Sequence, residues 1–231
     1  MKKYFRLGFA AIAVALFFNA FVVTETKAQG GLSEVLKRME AHRKSLTSLR
    51  ADVRMVKFDS VLKESDTYEG TTVYLPTKGR DALVRIDWTK PAKETLSVVN
   101  GQYVIYRERL KQAITGSAKD AKGGGKANNA LAFMNMSKEQ LNANYAVTYL
   151  GKETVSGGIE TWHLELKPKT AQKYKSAELW VDGNGMPIQA KVVENNNDTT
   201  TVLLSNLQKN IDLKASVFKL NLPKGTKVVP S

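Results

Sequence analysis

The chain has 231 residues, no cysteine and a formal net charge of +13 at pH 7. Without cysteine it cannot be held together by disulfides, so its stability must come from core burial. A chain of about 200 residues is long enough for one domain with a sizeable core. The basic balance suits anionic lipid surfaces or acidic partners.

Residues 1–28 have the three-part pattern of a secretory signal peptide. A short basic region, Met1–Arg6, precedes an apolar run from Leu7 to Val23. Thr26-Lys27-Ala28 then offers small residues at the positions that a signal peptidase reads, so we expect cleavage after Ala28. A retained membrane anchor is the alternative, but the run is slightly short for a span of roughly 20 residues.

Loss of this segment takes away four cations and one carboxylate, which leaves a mature charge of +10. Export makes nucleic acid an improbable partner, and no aromatic-basic motif of a nucleic-acid-binding module occurs. Bacterial lipoproteins are acylated on a cysteine just after the signal sequence, whereas Gln29-Gly30-Gly31 occupies that place. We therefore expect one soluble domain, residues 29–231, that works outside the cytoplasm.

The first element of the mature chain is predicted to be an amphipathic helix between Leu32 and Leu49. Apolar residues recur there at three- and four-residue spacing, with charged residues between them. Ser33 is placed to cap the start of this helix. The apolar stripe, which includes Leu36 and Met39, must dock on another part of the protein.

From Arg50 onward the apolar pattern has a period of two residues, which is typical of strands. Turn signals such as Asn100-Gly101 and Gly157-Gly158 separate most of the segments. Short connections favour antiparallel pairing of neighbouring strands. Eleven strands are predicted, near 51–58, 67–75, 82–88, 94–99, 102–108, 109–114, 145–150, 159–167, 175–182, 187–194 and 199–208.

A segment at about 116–144 interrupts this rhythm. A linker rich in Lys and Gly leads into an apolar stretch that contains Phe133, Met134 and Met136. Ser137-Lys138-Glu139-Gln140 then has the capping-box pattern of a short helix. The apolar stretch is either a core helix or a mobile lid, whose methionines would adapt to a variable ligand.

Two or three helical segments can cover only part of the apolar face of so long a sheet. A sheet of this length usually closes into a barrel or folds into a sandwich. If it does neither, the uncovered part is an apolar cleft that suits an acyl chain better than water. Alternation puts Val84, Ile86 and Trp88 on one face of their strand and Arg85 on the other. That apolar face is either plain core or the wall of such a cleft.

Several motifs, taken in order, resemble one family. They follow the first helix and Glu69-Gly70, and they are LVRIDWTKP (83–91), VVNGQYVIYRERLKQA (98–113), YLGKETVSGGIETWHLELKPK (149–169), AELWVDGNGMPIQAKVVENNNDTTTVLLSNLQKN (177–210) and FKLNLPKGTKVV (218–229). This ordered set, behind a signal peptide, resembles the periplasmic carriers of outer-membrane lipoproteins, the localisation-of-lipoprotein A (LolA) family. The resemblance covers almost all of the mature chain.

The resemblance implies a mainly β fold, an unclosed antiparallel half-barrel with helices over its concave face. It implies a soluble carrier that shields the acyl chains of lipoproteins between the inner and outer membranes, as a monomer without cofactor or metal. Its partners would be acylated lipoproteins, an inner-membrane lipoprotein-releasing ABC transporter and, where one exists, an outer-membrane acceptor. The cavity would be lined by Leu36, Met39, Val84, Ile86, Trp88, Leu96, Val98, Val104, Tyr106, Phe133, Met134 and Met136.

Two assignments within this set have alternatives. Tyr103 and Ile105 make the other face of their strand apolar as well, so the parity that selects Val104 and Tyr106 is open. The resemblance also implies a basic residue that latches the lid helices until cargo enters. Arg80 is the nearest equivalent, since a guanidinium has five donors for the carbonyls at a helix end. An ordinary solvated loop arginine is the alternative.

Catalysis has little support in the sequence. The two imidazoles, His42 and His163, have no local set of partners. No phosphate-binding loop, nucleophile elbow or metal-ligand spacing occurs. The remaining alternatives to a lipoprotein carrier are a carrier of free lipid or glycolipid, or a lipid-sensing module on the same fold.

Overall fold

The computed structural model describes residues 24–77, 82–117, 134 and 136–230, with side chains from residue 30 onward. Its helices are α1 (Thr24–Ser45) and α2 (Lys138–Asn144), with short 3-10 helices at Glu108–Leu110 and Ala215–Phe218. Its strands are β1 (Leu49–Asp59), β2 (Glu64–Leu75), β3 (Leu83–Lys90), β4 (Glu94–Val99), β5 (Gln102–Arg107), β6 (Gln112–Ser117), β7 (Tyr145–Val155), β8 (Ile159–Pro168), β9 (Tyr174–Asp182), β10 (Pro187–Glu194), β11 (Thr199–Lys209) and β12 (Lys227–Pro230). Within the described ranges, no helix is long and apolar enough to cross a membrane.

The twelve strands form one sheet in the order β12-β6-β5-β4-β3-β2-β1-β11-β10-β9-β8-β7. All neighbours are antiparallel except β12 and β6, which run parallel. Because β12 and β7 are the two edges, the sheet is unclosed, and the prediction of a mainly β, unclosed fold is confirmed. All eleven predicted strands are present. The additional β12 is only four residues long, too short for a periodic signal.

The first helix differs from its prediction at both ends. α1 begins at Thr24, so Ser33 lies inside the helix and does not cap it. It ends at Ser45, and Leu49 already belongs to β1. The apolar spacing continues across the connection because Leu46 and Leu49 pack into the same core from non-helical backbone. The predicted signal peptide lies mostly outside the described residues, so its cleavage stays a prediction.

Strand register gives the sheet two distinct faces. We call the face beneath α1 the inner face; it carries Ala51, Ile86 and Leu164, which are at most 1% exposed. The opposite, outer face carries Arg85, as alternation predicted. The chain after β11 crosses this outer face, where Phe218 is fully buried against Val73 and Leu83.

Polar contacts fasten this crossing segment to the outer face. Arg85 Nη1 donates to the carbonyl oxygen of Val217 at 2.9 Å, and its other nitrogens bind the carboxylate of Asp87 at 2.8 and 2.9 Å. Ser97 Oγ donates to the carbonyl oxygen of Phe218. The segment then turns and enters the sheet as β12.

α1 lies directly against the turn between β9 and β10. Gly185 in this turn has φ +85°, and a Cβ there would lie 2.3 Å from the carbonyl carbon and oxygen of Arg38. Arg38 Nη1 donates to the carbonyl oxygen of Gly183 at 3.0 Å, and the guanidinium lies 5.1 Å from the ring centroid of Trp162. Only glycine permits both this backbone conformation and this approach.

α2 is built as its capping box predicted. Ser137 Oγ accepts from the backbone N–H of Gln140 at 3.2 Å, and Gln140 Oε1 accepts from the N–H of Ser137 at 2.9 Å. Leu141 is fully buried, and the backbone N–H of Lys169 donates to the carbonyl oxygen of Asn144 at 2.9 Å. The short helix is therefore fixed to the β8–β9 connection.

A carboxylate joins the two helices. Glu40 on α1 accepts from the guanidinium of Arg43 at 2.7 and 3.1 Å and from the backbone N–H of Lys138 at 3.4 Å. The hydrogen bond from Arg43 lowers the pKa of Glu40 to about 2, although burial opposes the shift. The N–H of Lys138 and the charge of Lys44 contribute smaller parts of this net lowering.

We expect Gly185→Ala to destabilise the protein by about 2–4 kcal/mol, because a side chain there adds left-handed strain to a clash with the backbone of α1. Urea unfolding measures the effect. Gly183→Ala is the matched control, since a Cβ at Gly183 meets nothing within 4 Å. This control should stay within about 0.5 kcal/mol of wild type. Equal losses in both variants would contradict the close approach of α1.

Glu40→Gln should flatten the dependence of stability on pH in acid. The folded-state pKa of Glu40 is depressed, so its carboxylate stabilises the fold above its ordinary value of 4.5, and this stabilisation is lost as the pH falls toward 2. Urea midpoints measured across this window should fall more steeply in wild type than in Glu40→Gln. Parallel slopes would show that the pKa of Glu40 is not depressed in the folded protein.

Candidate functional site

The inner face is covered unequally. Over β7 to β11 most of its apolar side chains are buried, although Val147, Tyr149 and Trp162 are only partly so. Among the described elements, α1 and α2 make their main helix contacts with β7 and with each other. The fully buried members of this half include Leu164, Leu166, Ala177, Leu179, Val181, Ala190 and Val202.

The other half, formed by β2 to β6, keeps large apolar side chains only half-buried. Its floor is buried and consists of Ile86, Leu96, Val98 and Tyr103. Around this floor the half-buried aromatic and aliphatic residues are Tyr68, Tyr74, Val84, Trp88, Ile105 and Ile114. We call this set of ten residues the open half. Six of its ten side chains are therefore partly accessible to solvent.

Strand register makes the open half continuous. Ile86 lies opposite Leu96, which lies opposite Ile105 on the next strand. Ile105 in turn lies opposite Ile114, so one apolar row crosses β3, β4, β5 and β6. Directly opposed residues in antiparallel strands share a face, so these side chains form one surface.

Val104 and Tyr106 do not belong to this surface, so their predicted placement is corrected. They lie opposite Ser97 and Thr95 and therefore on the outer face. Tyr103 and Ile105 occupy the inner-face positions of β5 instead. The Asn100-Gly101 turn could have settled this, because a two-residue loop pairs Val99 with Gln102 and thus Val98 with Tyr103.

The other predicted cavity residues fall into three groups. One group lies in the open half: Val84, Ile86, Trp88, Leu96 and Val98. A second group, Leu36 and Met39, lies on the buried side of α1 and belongs to the same core. Met134 and Met136 are partly buried and pack against that core. Phe133 and Arg80 lie outside the described residues, so their roles as cap and latch stay predictions. Binding of an acyl chain by any of these residues is likewise a prediction.

Polar and aromatic side chains edge the open half where β1 ends. The rings of Tyr68 and Trp88 meet edge to face with centroids 5.9 Å apart, and Lys57 Nζ lies 4.7 Å from the Tyr68 centroid. Arg107 Nε lies 3.3 Å from a carboxylate oxygen of Glu94. Charged groups at this edge can meet a polar headgroup, while the apolar floor lies further in.

The histidines do not build a second site. On the outer face, His163 lies 2.8 Å from Glu153 and 2.9 Å from Glu178, and its ring stacks on Trp180 with centroids 4.3 Å apart. Lys191 and the Trp180 indole bind the same carboxylates, so this is a closed network. His42 on α1 is half-buried, and that burial lowers its pKa. Within the described residues, no group of three potential ligands could hold a metal ion.

Comparison with known proteins adds a family to this geometry. Residues 77–221 match the model of the family described as outer membrane lipoprotein carrier protein LolA. This stretch contains β3 to β11 and most of the open half. No curated protein sequence matches the chain.

Several solved structures are similar to the chain at low sequence identity. An uncharacterized conserved protein from Thermus thermophilus is 14% identical with a TM-score of 0.55, covering 87% of this chain and 99% of that chain. The MucA/MucB complex from Pseudomonas aeruginosa gives 14% identity and a TM-score of 0.50, covering 83% and 61%. The LolA superfamily protein NE2245 from Nitrosomonas europaea gives 16% identity and a TM-score of 0.43, covering 81% and 97%.

The first two of these structures support a common fold and nothing finer, because their identities are low. The family model is the stronger finding, since it spans more than half of the chain. Proteins of this family are carriers and not enzymes, in agreement with the prediction made from the sequence. The chain therefore belongs to the LolA family of outer membrane lipoprotein carrier proteins.

Proposed function

We propose that this protein is a periplasmic carrier that holds the acyl chains of lipoproteins against the open half and moves them from the inner to the outer membrane. One observation carries the proposal: an unclosed sheet has a continuous apolar surface whose rim is only half-buried, next to helices that are fastened elsewhere. Membership of a lipoprotein-carrier family supports lipoprotein as the cargo.

The energetics agree with this task. Each methylene withdrawn from water contributes about 0.8 kcal/mol, so a sixteen-carbon chain gains on the order of 12 kcal/mol when it is buried. An acylated protein therefore needs an apolar shield to cross an aqueous gap. The partly exposed rim of the open half is also withdrawn from water on loading, which adds to this gain.

The described helices border this site, and we do not expect them to move when cargo enters. α1 is fixed by Arg38 and by its contact with Gly185, and α2 by buried Leu141 and by Lys169. Cargo would therefore enter over β2 to β6 without displacing either helix. The donor would be an inner-membrane lipoprotein-releasing ABC transporter, and a signal peptide would bring the carrier to the periplasm.

Site-specific photo-crosslinking distinguishes the two faces of one strand. Benzoylphenylalanine at Ile105, on the inner face, should crosslink to acylated lipoproteins in periplasmic preparations, as identified by mass spectrometry. The same group at Val104 is the matched control, because Val104 is the neighbour of Ile105 in the chain and lies on the outer face. Its yield of acylated adducts should be at least about tenfold lower, as expected for a group outside the apolar contact.

Two outcomes would contradict the proposal in different ways. Equal yields of acylated protein at both positions would remove the open half as the binding surface. Adducts at Ile105 that contain lipids but no acylated protein would favour the carrier of free lipid or glycolipid.

A further inference from the structure

Four connections of the sheet lie side by side at one end. Antiparallel pairing brings the β1–β2, β3–β4 and β5–β6 connections to the same end, with successive connections about 10 Å apart because adjacent strands are about 4.8 Å apart. The turn before β12 joins them, since the N–H of Lys227 donates to the carbonyl oxygen of Lys111 at 2.8 Å. We call residues 60–63, 90–93, 108–111 and 223–226 the basic rim.

The basic rim exposes large aliphatic side chains. Val61 is 82% exposed, Leu62 is 66% exposed and Leu110 is 56% exposed. Val61 and Leu62 are adjacent at the tip of the β1–β2 hairpin, and Leu110 is in the β5–β6 connection. Val61 and Leu62 make a small adjacent apolar pair that is largely exposed, so this tip is a candidate contact point for an apolar environment.

The β1–β2 tip is held in its shape. Asp59 Oδ1 accepts from the backbone N–H groups of Val61 and Leu62, each at 2.8 Å, and its carbonyl oxygen accepts from the N–H of Lys63 at 3.0 Å. The N–H of Ser60 donates to Asp198 of the neighbouring β10–β11 turn at 2.9 Å. The two aliphatic side chains are therefore presented by an ordered turn, which lowers the entropic cost of binding.

The basic rim carries an excess of cations. It contains six, Lys63, Lys90, Lys93, Arg109, Lys111 and Lys224, and one carboxylate, Glu108, while Asp59 and Glu64 flank the β1–β2 tip and Lys90 binds Glu69 at 2.7 Å. Four of the cations and Glu108 line an open cleft of about 940 Å³ between the β3–β4 and β5–β6 connections and the turn before β12. Lysine and arginine bind phosphate through charge-assisted hydrogen bonds, so such a cleft suits anionic phosphate groups.

We propose that the basic rim docks the protein on an anionic phospholipid surface, with Val61, Leu62 and Leu110 inserted at the headgroup–acyl boundary. Aliphatic side chains between cations are the combination that anionic bilayers bind. An acidic protein would also match the cations. The lipid surface is favoured because the apolar groups stand on convex tips, whereas protein hot spots fill well-packed pockets.

Docking in this way also orients the molecule. Trp88, at the edge of the open half, is two residues before Lys90 of the basic rim on the same strand. The protein would therefore meet the membrane with the mouth of its apolar surface close to the lipid. The docking surface does not depend on whether the cargo is a lipoprotein or a free lipid, and its test needs no cargo.

Vesicle co-sedimentation tests the electrostatic part. The mature protein should bind phosphatidylcholine vesicles that contain phosphatidylglycerol and should not bind phosphatidylcholine alone. Each cation near the surface contributes about fivefold in binding, so Lys93→Glu/Arg109→Glu/Lys111→Glu should lose at least about 100-fold. The matched control is Lys37→Glu/Lys214→Glu/Lys219→Glu, which reverses three exposed lysines outside the basic rim. It should lose less than about fivefold, as expected for charges away from the surface.

A fluorescent label tests the insertion. Since the chain has no cysteine, Leu62→Cys accepts a single environment-sensitive fluorophore. Its emission should shift to the blue on addition of anionic vesicles. The control is Ile159→Cys, at the opposite end of the sheet and 39% exposed, which should not respond. Circular dichroism of each variant checks that it is folded.

Equal losses in the two triple variants, or equal shifts from the two labels, would overturn the proposal. Absence of binding to anionic vesicles would overturn it as well and would leave an acidic protein as the partner of the basic rim. Failure of the lipoprotein-carrier proposal would be seen separately, in the crosslinking at Ile105.

Discussion

The close approach of α1 to the Gly185 turn determines how the rest of the molecule is arranged. A helix backbone can come this near a strand connection only where no side chain intervenes. Gly185 provides that room, and the carbonyl oxygen of Gly183 accepts a hydrogen bond from Arg38. Because α1 is held over the β7–β11 half, its apolar stripe covers part of that half. The same helix leaves the β2–β6 half with little cover from α1 and α2.

Register supplies the second constraint. A sheet of twelve strands could present its apolar residues in scattered patches, but the pairing of Ile86, Leu96 and Ile105 aligns them in one row. The chain after β11 packs its apolar residues against the outer face instead, where Phe218 is buried. The opposite face of the same strands is not covered by this segment and carries the open half.

Much of the fold could be predicted from the sequence, since strand periodicity, Asn-Gly turns and the Ser137–Gln140 capping box are local signals. The face on which a residue lies, the start of a helix and the exposure of a loop depend on distant contacts and could not be predicted in this way. Val104 and Tyr106 were placed on the wrong face because both faces of β5 are apolar, and only the loop register distinguishes them. Ser33 was taken as a cap because the helix continues further toward the N-terminus than its apolar stripe does. The exposed Val61-Leu62 tip also gives no periodic signal, since exposure depends on the three-dimensional arrangement.

The parallel pairing of β12 with β6 bears on the self-association of an unclosed sheet. A free edge beside an apolar surface is a template on which further chains can add strands. β12 occupies that edge, is four residues long and ends at Pro230, whose nitrogen has no hydrogen to donate. The sheet can thus stay unclosed while this margin offers little for fibril-like growth.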